Sequence, residues 1–208
     1  MATTRTNLQS GFSIIELIVT MVIMLVIVGT VTTLFSRSLL TKSRESSRTD
    51  ALTASQAALN VMSREIANSG YGTITNGLMS DSTNERVHFV SNHINTNDNL
   101  LQPGENVTYY FEPSSESILR YDANGQGPGS PLTSIIINRI SRVEYEYFNY
   151  TGANPIPTIT TFPTADTGRV RIRLTVNLER VIGQVNPDAV VLTSDVTLRN
   201  SSYMLNNY

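Results

Sequence analysis

The sequence predicts an α+β protein in which one long N-terminal helix precedes an antiparallel β-sheet domain. Three observations predict it. Leu17 to Ser36 is a run of 20 residues without a charge. Leu52, Ser55, Leu59, Met62 and Ile66 recur at alternating spacings of 3 and 4, the period of a one-sided helical stripe. Beyond Gly72, short runs rich in Val, Ile and Tyr alternate with clusters of Asn, Gly and Pro, the pattern of strands and turns.

The uncharged run, LIVTMVIMLVIVGTVTTLFS, is about 30 Å long as a helix, the hydrocarbon thickness of a bilayer. A soluble core helix keeps a polar stripe, whereas this run is apolar on every side apart from Thr and Gly29. A cleaved secretory signal has a shorter apolar region, about 7–15 residues, and a small-x-small cleavage site, so a retained membrane segment is the better reading. Arg5 precedes the run, and Arg37, Lys42, Arg44 and Arg48 follow it. By itself the positive-inside rule places the downstream chain in the cytoplasm.

No Pro or paired Gly interrupts Ser36 to Ser47, so one continuous helix is favoured over two. Ala51, Ala54, Ala57 and Ala58 flank the apolar stripe, and the opposite side is polar. Asn68-Ser69-Gly70-Tyr71-Gly72 supplies the stop, with Gly70 suited to the left-handed position after a helix.

Strands are expected at Val87–Val90, Val107–Phe111, Ile118–Tyr121, Ile135–Ile137, Val143–Phe148, Val170–Leu178 and Val190–Leu198. The clearest is Arg169 to Leu178, where apolar and polar residues alternate; Val143, Tyr145 and Tyr147 against Arg142, Glu144 and Glu146 mark its companion. Asn92–Asn99, Ala123–Pro131 and Thr151–Thr167 read as loops.

Composition narrows the chemistry. The 208 residues include 66 Ser, Thr and Asn, only 15% are charged, and the net charge is −2. The absence of Cys excludes a disulfide scaffold, a thiolate metal site, a Cys nucleophile and a lipoprotein anchor. Residues 70–208 carry nine basic and thirteen acidic side chains, which argues against nucleic acid as a partner. The two His residues, His88 and His93, lack a convergent ligand set and are expected to be solvated surface groups, so no metal site is expected. Calcium finds no Asp-x-Asp-x-Asp-Gly run. Gly125, Gly127 and Gly129 are interrupted by Pro128 and read as a flexible turn, not a phosphate loop. No Gly-x-Ser-x-Gly elbow occurs, and neither a cofactor nor catalysis is expected. Arg169, Arg171 and Arg173 project from one face of their strand; Glu144 and Glu146 could pair with them, which favours a charged face that discourages aggregation over a DNA contact.

The most specific signal is Ser10-Gly11-Phe12-Ser13-Ile14-Ile15-Glu16-Leu17-Ile18. A carboxylate just before an apolar span is usually functional and paired. This stretch resembles the type IV prepilin family: a short hydrophilic leader ending in Gly, then Phe, Ser or Thr, two apolar residues, Glu, and a long hydrophobic helix. The resemblance implies cleavage between Gly11 and Phe12 by a prepilin peptidase, N-methylation of Phe12, and a Glu16 that neutralises the N-terminal amine of a neighbouring subunit during assembly. It also implies an N-terminus in the cytoplasm, a single pass through the bacterial inner membrane, and later residence in a pilus or pseudopilus. The segments are then a leader at 1–11, a membrane and fibre-core half-helix at 12–36, an amphipathic half at 37–69 and a β-rich head at 70–208.

Ser63–Gly72, Val107–Tyr110 with Leu119–Tyr121, and Val196–Asn200 are similar to the layout of PilW-like and PulJ-like minor pilins. They imply a minor pilin or pseudopilin near the tip of a type IV pilus or type II secretion pseudopilus. Its partners would be other pilins and minor pilins, the peptidase, the inner-membrane assembly platform and, before assembly, the lipid bilayer. The family often places Pro where this chain has Thr33, so local melting on packing would centre on Gly29. Many pilins also staple their last loop with a disulfide, which this chain lacks. The alternative is a signal-anchored, single-pass membrane enzyme or sensor with an extracytoplasmic β domain.

Overall fold

The computed structural model describes residues 11–94, 100–151, 156–178 and 189–207. Most of the expected leader, and parts of the expected loops at Asn92–Asn99 and Thr151–Thr167, lie outside the described residues. The chain divides into two compact units, the first ending at Ser46 and the second running from Ser47 to Tyr208.

Helix α1 is a single element, Ile14–Ala67, as the uninterrupted sequence between Ser36 and Ser47 requires. Within the second unit it buries Ser55, Ala58, Leu59, Met62 and Ile66, which is the expected stripe with Ala58 added and Leu52 left at the half-buried margin. Gly70 follows with φ +77, the left-handed conformation that a glycine adopts without steric cost.

Two antiparallel sheets follow. Strands β1 (Arg86–Val90), β2 (Asn106–Glu112), β3 (Ser117–Asp122) and β4 (Leu132–Ile137) form the first, in sequence order. The second contains β5 (Ile140–Asn149), β6 (Thr158–Thr160), β7 (Thr167–Asn177) and β8 (Ala189–Thr197), ordered β6-β5-β7-β8. A short helix, α2 (Ser202–Asn207), ends the described chain. The division into two sheets occurs at Asn138-Arg139, where Arg139 takes φ +61 and the next strand pairs away from β4. Nothing in the hydrophobic pattern marks that parting.

The alternation read from Arg169 to Leu178 sets the faces of β7. Val170, Ile172, Leu174 and Val176 are buried, and each β7 residue between them is half-buried. Strand β5 is its companion, with Tyr145 opposite Ile172 and Tyr147 opposite Val170. These residues join Val87, Phe89, Val107, Tyr109 and Ile118 of the first sheet and Leu59, Met62 and Ile66 of α1 in one hydrophobic cluster. In place of a disulfide, β8 is held by a nine-residue ladder from Arg169↔Thr197 to Asn177↔Ala189, and by burial of Val196 and Leu198.

Polar side chains secure the helix end. Glu65 Oε2 accepts from Tyr109 Oη (2.8 Å) and Arg120 Nε (3.1 Å), and Arg120 also bonds Asp122 (3.1 Å). The segment after α1 ties both sheets together. Gly70 N donates to Val90 O (2.9 Å), Val90 N donates to Gly77 O (2.8 Å), and the buried Asn76 amide donates to Thr164 O (2.8 Å) and Thr167 O (3.0 Å).

Burial holds the phenols of Tyr109, Tyr145 and Tyr147 protonated well above the ordinary tyrosine range, and the Glu65 carboxylate adds to the effect at Tyr109. Their folded pKa values exceed the unfolded value of about 10. The stability they lend is therefore complete below about pH 10 and is lost as pH rises, because the unfolded chain then releases protons that the folded chain keeps. The slope is about 1.4 kcal/mol per pH unit for each such group. Absorbance titration of the tyrosines should show these three ionising late, together with collapse of the near-ultraviolet circular dichroism; their ionisation with the solvent-exposed tyrosines in an intact fold would contradict the burial.

Candidate functional site

The segment that carries the prepilin resemblance sits at the start of α1. Gly11, Phe12 and Ser13 precede the helix, and Phe12 is 81% exposed. Ser13 O accepts from Glu16 N and Leu17 N, both at 3.1 Å, so Ser13 occupies the N-cap. Glu16 stands three residues on, the spacing of a capping box, and lies in the first turn. There the unpaired N–H groups and the helix dipole favour a negative charge. The sequence reading passed over this second role, although Ser-x-x-Glu before an apolar run is its ordinary signature.

Every large apolar side chain from Ile14 to Leu40 is exposed. A helix with this much bare apolar surface calls for lipid or other helices around it. The described residues contain one helix long and apolar enough to cross a membrane, and none of its most apolar 18-residue window is buried. Each hydroxyl in the uncharged run bonds back to its own helix. Thr20 donates to Leu17 O, Thr30 to Val26 O and Ile27 O, Thr32 to Val28 O, Thr33 to Thr30 O and Ser36 to Thr32 O, at 2.8–3.0 Å. This removes the penalty of unpaired hydroxyls in hydrocarbon. Gly29 has nothing within 4 Å of where a Cβ would stand, and the helix runs through it unbroken.

Residues 6–32 match the prokaryotic N-terminal methylation motif. The matched stretch contains Gly11, Phe12 and Glu16, and it agrees with the type IV prepilin-like character read from Ser10 to Ile18. No curated protein and no solved structure matches the chain. The methylation motif and the membrane-capable helix together support a type IV pilin-like protein, and they are compatible with membrane anchoring before assembly.

Away from the motif, the structure changes the reading of the histidines. His88 is not a solvated surface group: its side chain is 17% exposed, with Nδ1 2.7 Å from Asp81 Oδ1 and Nε2 2.8 Å from Asn106 Oδ1. The hydrogen-bonding neighbours come from a loop and the adjacent strand, so local spacing did not reveal them. His93 is exposed. Among the described residues, no group of three or more His, Asp or Glu gathers to hold a metal. The glycines after β3 form an ordered turn, in which Asn124 O accepts from Gly127 N (2.8 Å) and Asn124 Oδ1 from Gly129 N (2.9 Å).

Two of the three arginines on the β7 face are paired with carboxylates. Arg173 meets Glu146 at 2.6 Å, Arg171 meets Asp195 at 2.7 Å and Glu146 at 3.5 Å, and Arg169 lies over the Phe148 ring at 4.0 Å. Glu144 pairs with Arg142 (2.7 Å), not with the β7 arginines. Hydrogen bonding from Arg171 holds the Asp195 carboxyl below the usual carboxylate range.

Proposed function

We propose that this chain is a non-enzymatic structural subunit, a minor pilin or pseudopilin that enters a type IV pilus or type II secretion pseudopilus at or near its tip and promotes its assembly. The observation that carries the reading is the methylation-motif match at residues 6–32 at the start of a helix whose large apolar side chains from Ile14 to Leu40 are all exposed. In this reading a prepilin peptidase cuts between Gly11 and Phe12 at the cytoplasmic face and Phe12 is N-methylated. Residues 12–36 hold the subunit in the inner membrane and then in the fibre core, 37–69 connect them to the head, and 70–208 form that head. Phe12 and its neighbours stand exposed ahead of the helix, as a processing enzyme needs. The closing resemblance to PilW-like and PulJ-like proteins favours a minor subunit over a major one.

Glu16 and the amine of Phe12 in a neighbouring subunit would each be unfavourable alone in hydrocarbon. Pairing offsets part of that cost only in the correct axial register. The partners are other pilin and minor pilin subunits, with the inner-membrane assembly platform and the bilayer serving before incorporation.

Intact-mass measurement of membrane-extracted protein from cells with an active prepilin peptidase tests the reading. Loss of residues 1–11 with gain of one methyl group is expected. A full-length, unmethylated chain would overturn it and favour a membrane-anchored enzyme or sensor.

A further inference from the structure

The outer face of the first sheet carries a second candidate site. Along β1 and β2, Val87, Phe89, Val107 and Tyr109 turn into the core, so the alternating residues Arg86, His88 and Tyr110 face the other way. They line a cavity of about 430 Å³ together with Asp81, Asn106 and Tyr121, a size that accommodates one or two sugar rings. Register places Tyr110 opposite Arg86 and Thr108 opposite both His88 and Tyr121. The two tyrosines are therefore diagonal neighbours on adjacent strands.

The chemistry of the wall selects a ligand class. Asp81 bonds the Arg86 guanidinium and approaches His88, while His88 approaches Asn106. The cationic guanidinium is thus already engaged by a carboxylate, which leaves neither a surplus charge for an anion nor an acidic cluster for a metal. Ala123 is the one aliphatic hydrocarbon side chain in the lining. What the wall does offer is a chain of fixed, planar donors and acceptors beside two half-buried aromatic rings.

A pyranose matches this arrangement. Its C–H face packs on the electron-rich face of an aromatic ring, and its equatorial hydroxyls both donate and accept. A nucleotide would share the stacking but would require a free cation or a row of backbone N–H groups for its phosphate. We propose that the cavity binds a neutral hexopyranose unit of a glycan.

The test uses the full chain in micelles of a detergent without a sugar headgroup. Methyl glycosides of glucose, galactose, mannose and N-acetylglucosamine are the probes, read by saturation-transfer NMR. At least one glycoside should receive saturation concentrated on one ring face, and Tyr110→Ala with Tyr121→Ala should weaken its binding at least tenfold. The same glycoside should shift the ring resonances of His88 and leave those of His93 unmoved, a readout that requires no substitution. Absence of transfer to all four probes overturns the proposal. So does binding that survives the double substitution in a folded protein, a shift confined to His93, or transfer to adenosine monophosphate in place of the sugars.

Discussion

Gly77→Ala is expected to destabilise the second unit by more than about 3 kcal/mol, the range reserved for substitutions that break a special backbone site. Gly77 has φ +76, and a Cβ there would run into the backbone of Gly70 and of Val90. Neither obstacle is a flexible side-chain tip. Gly70 N and Gly77 O are also the two groups that pair with Val90, so relief by backbone movement would break the hydrogen bonds joining the end of α1 to β1. Asn76, next in sequence, would be pulled from Thr164 and Thr167 as well. Thermal unfolding of the detergent-solubilised chain, followed by near-ultraviolet circular dichroism, gives the measurement. Gly29→Ala is the matched control, since open space surrounds it and no loss of stability is expected. Equal melting of Gly77→Ala and the parent would show that the close approach of the two glycines does not exist in solution.

Glu16→Ala is expected to give a subunit that is cleaved, methylated and inserted normally but enters fibres at least tenfold less. In the proposed assembly, removing the carboxylate would leave the neighbouring amine in hydrocarbon without its partner, which would disfavour the docked state while leaving the membrane-resident state almost untouched. The capping geometry at Ser13 predicts a smaller, separate effect. Without Glu16 the first turn loses a favourable charge at the positive end of the helix, worth about 0.3–1 kcal/mol. Glu16→Gln separates the two roles, because it keeps a group able to reach back to the N-cap backbone and removes the charge. Shearing the fibres and comparing the subunit in fibre and membrane fractions measures incorporation. Normal incorporation of both variants would end the proposed role of Glu16 without touching the assignment of the methylation motif.

The parts of the fold legible in the sequence were those governed by local periodicity. The stripe from Ser55 to Ile66, the stop at Gly70 and the alternation of β7 each depend on residues within a few positions of one another. Seven of the strands were visible for the same reason. Their ends were not: β4 begins at Leu132 and β5 at Ile140, apolar residues set apart from the main runs by two polar ones, and ladder pairing carries each strand across that gap. Strand β6 is three residues inside an expected loop, fixed by pairing Thr158–Thr160 with Tyr147–Asn149, and no local pattern announces it. The methylation motif was legible because its signature is compact, from Gly11 to Glu16. By contrast, His88 acquires its surroundings from Asn106 on the neighbouring strand and Asp81 in a loop, a juxtaposition made by topology and invisible to spacing.

The inward-turned hydroxyls of the apolar half of α1 have a mechanical consequence. From Thr20 to Ser36 every hydroxyl in the run is bonded to the backbone of its own helix, so a helix packed alongside would find no hydroxyl in need of a partner. In a bundle of such helices, shear along the axis would encounter only the shallow corrugation of packed methyl groups. In the proposed fibre this stretch would let neighbouring helices slide with little resistance, so axial register would rest on the pair between Glu16 and the neighbouring amine.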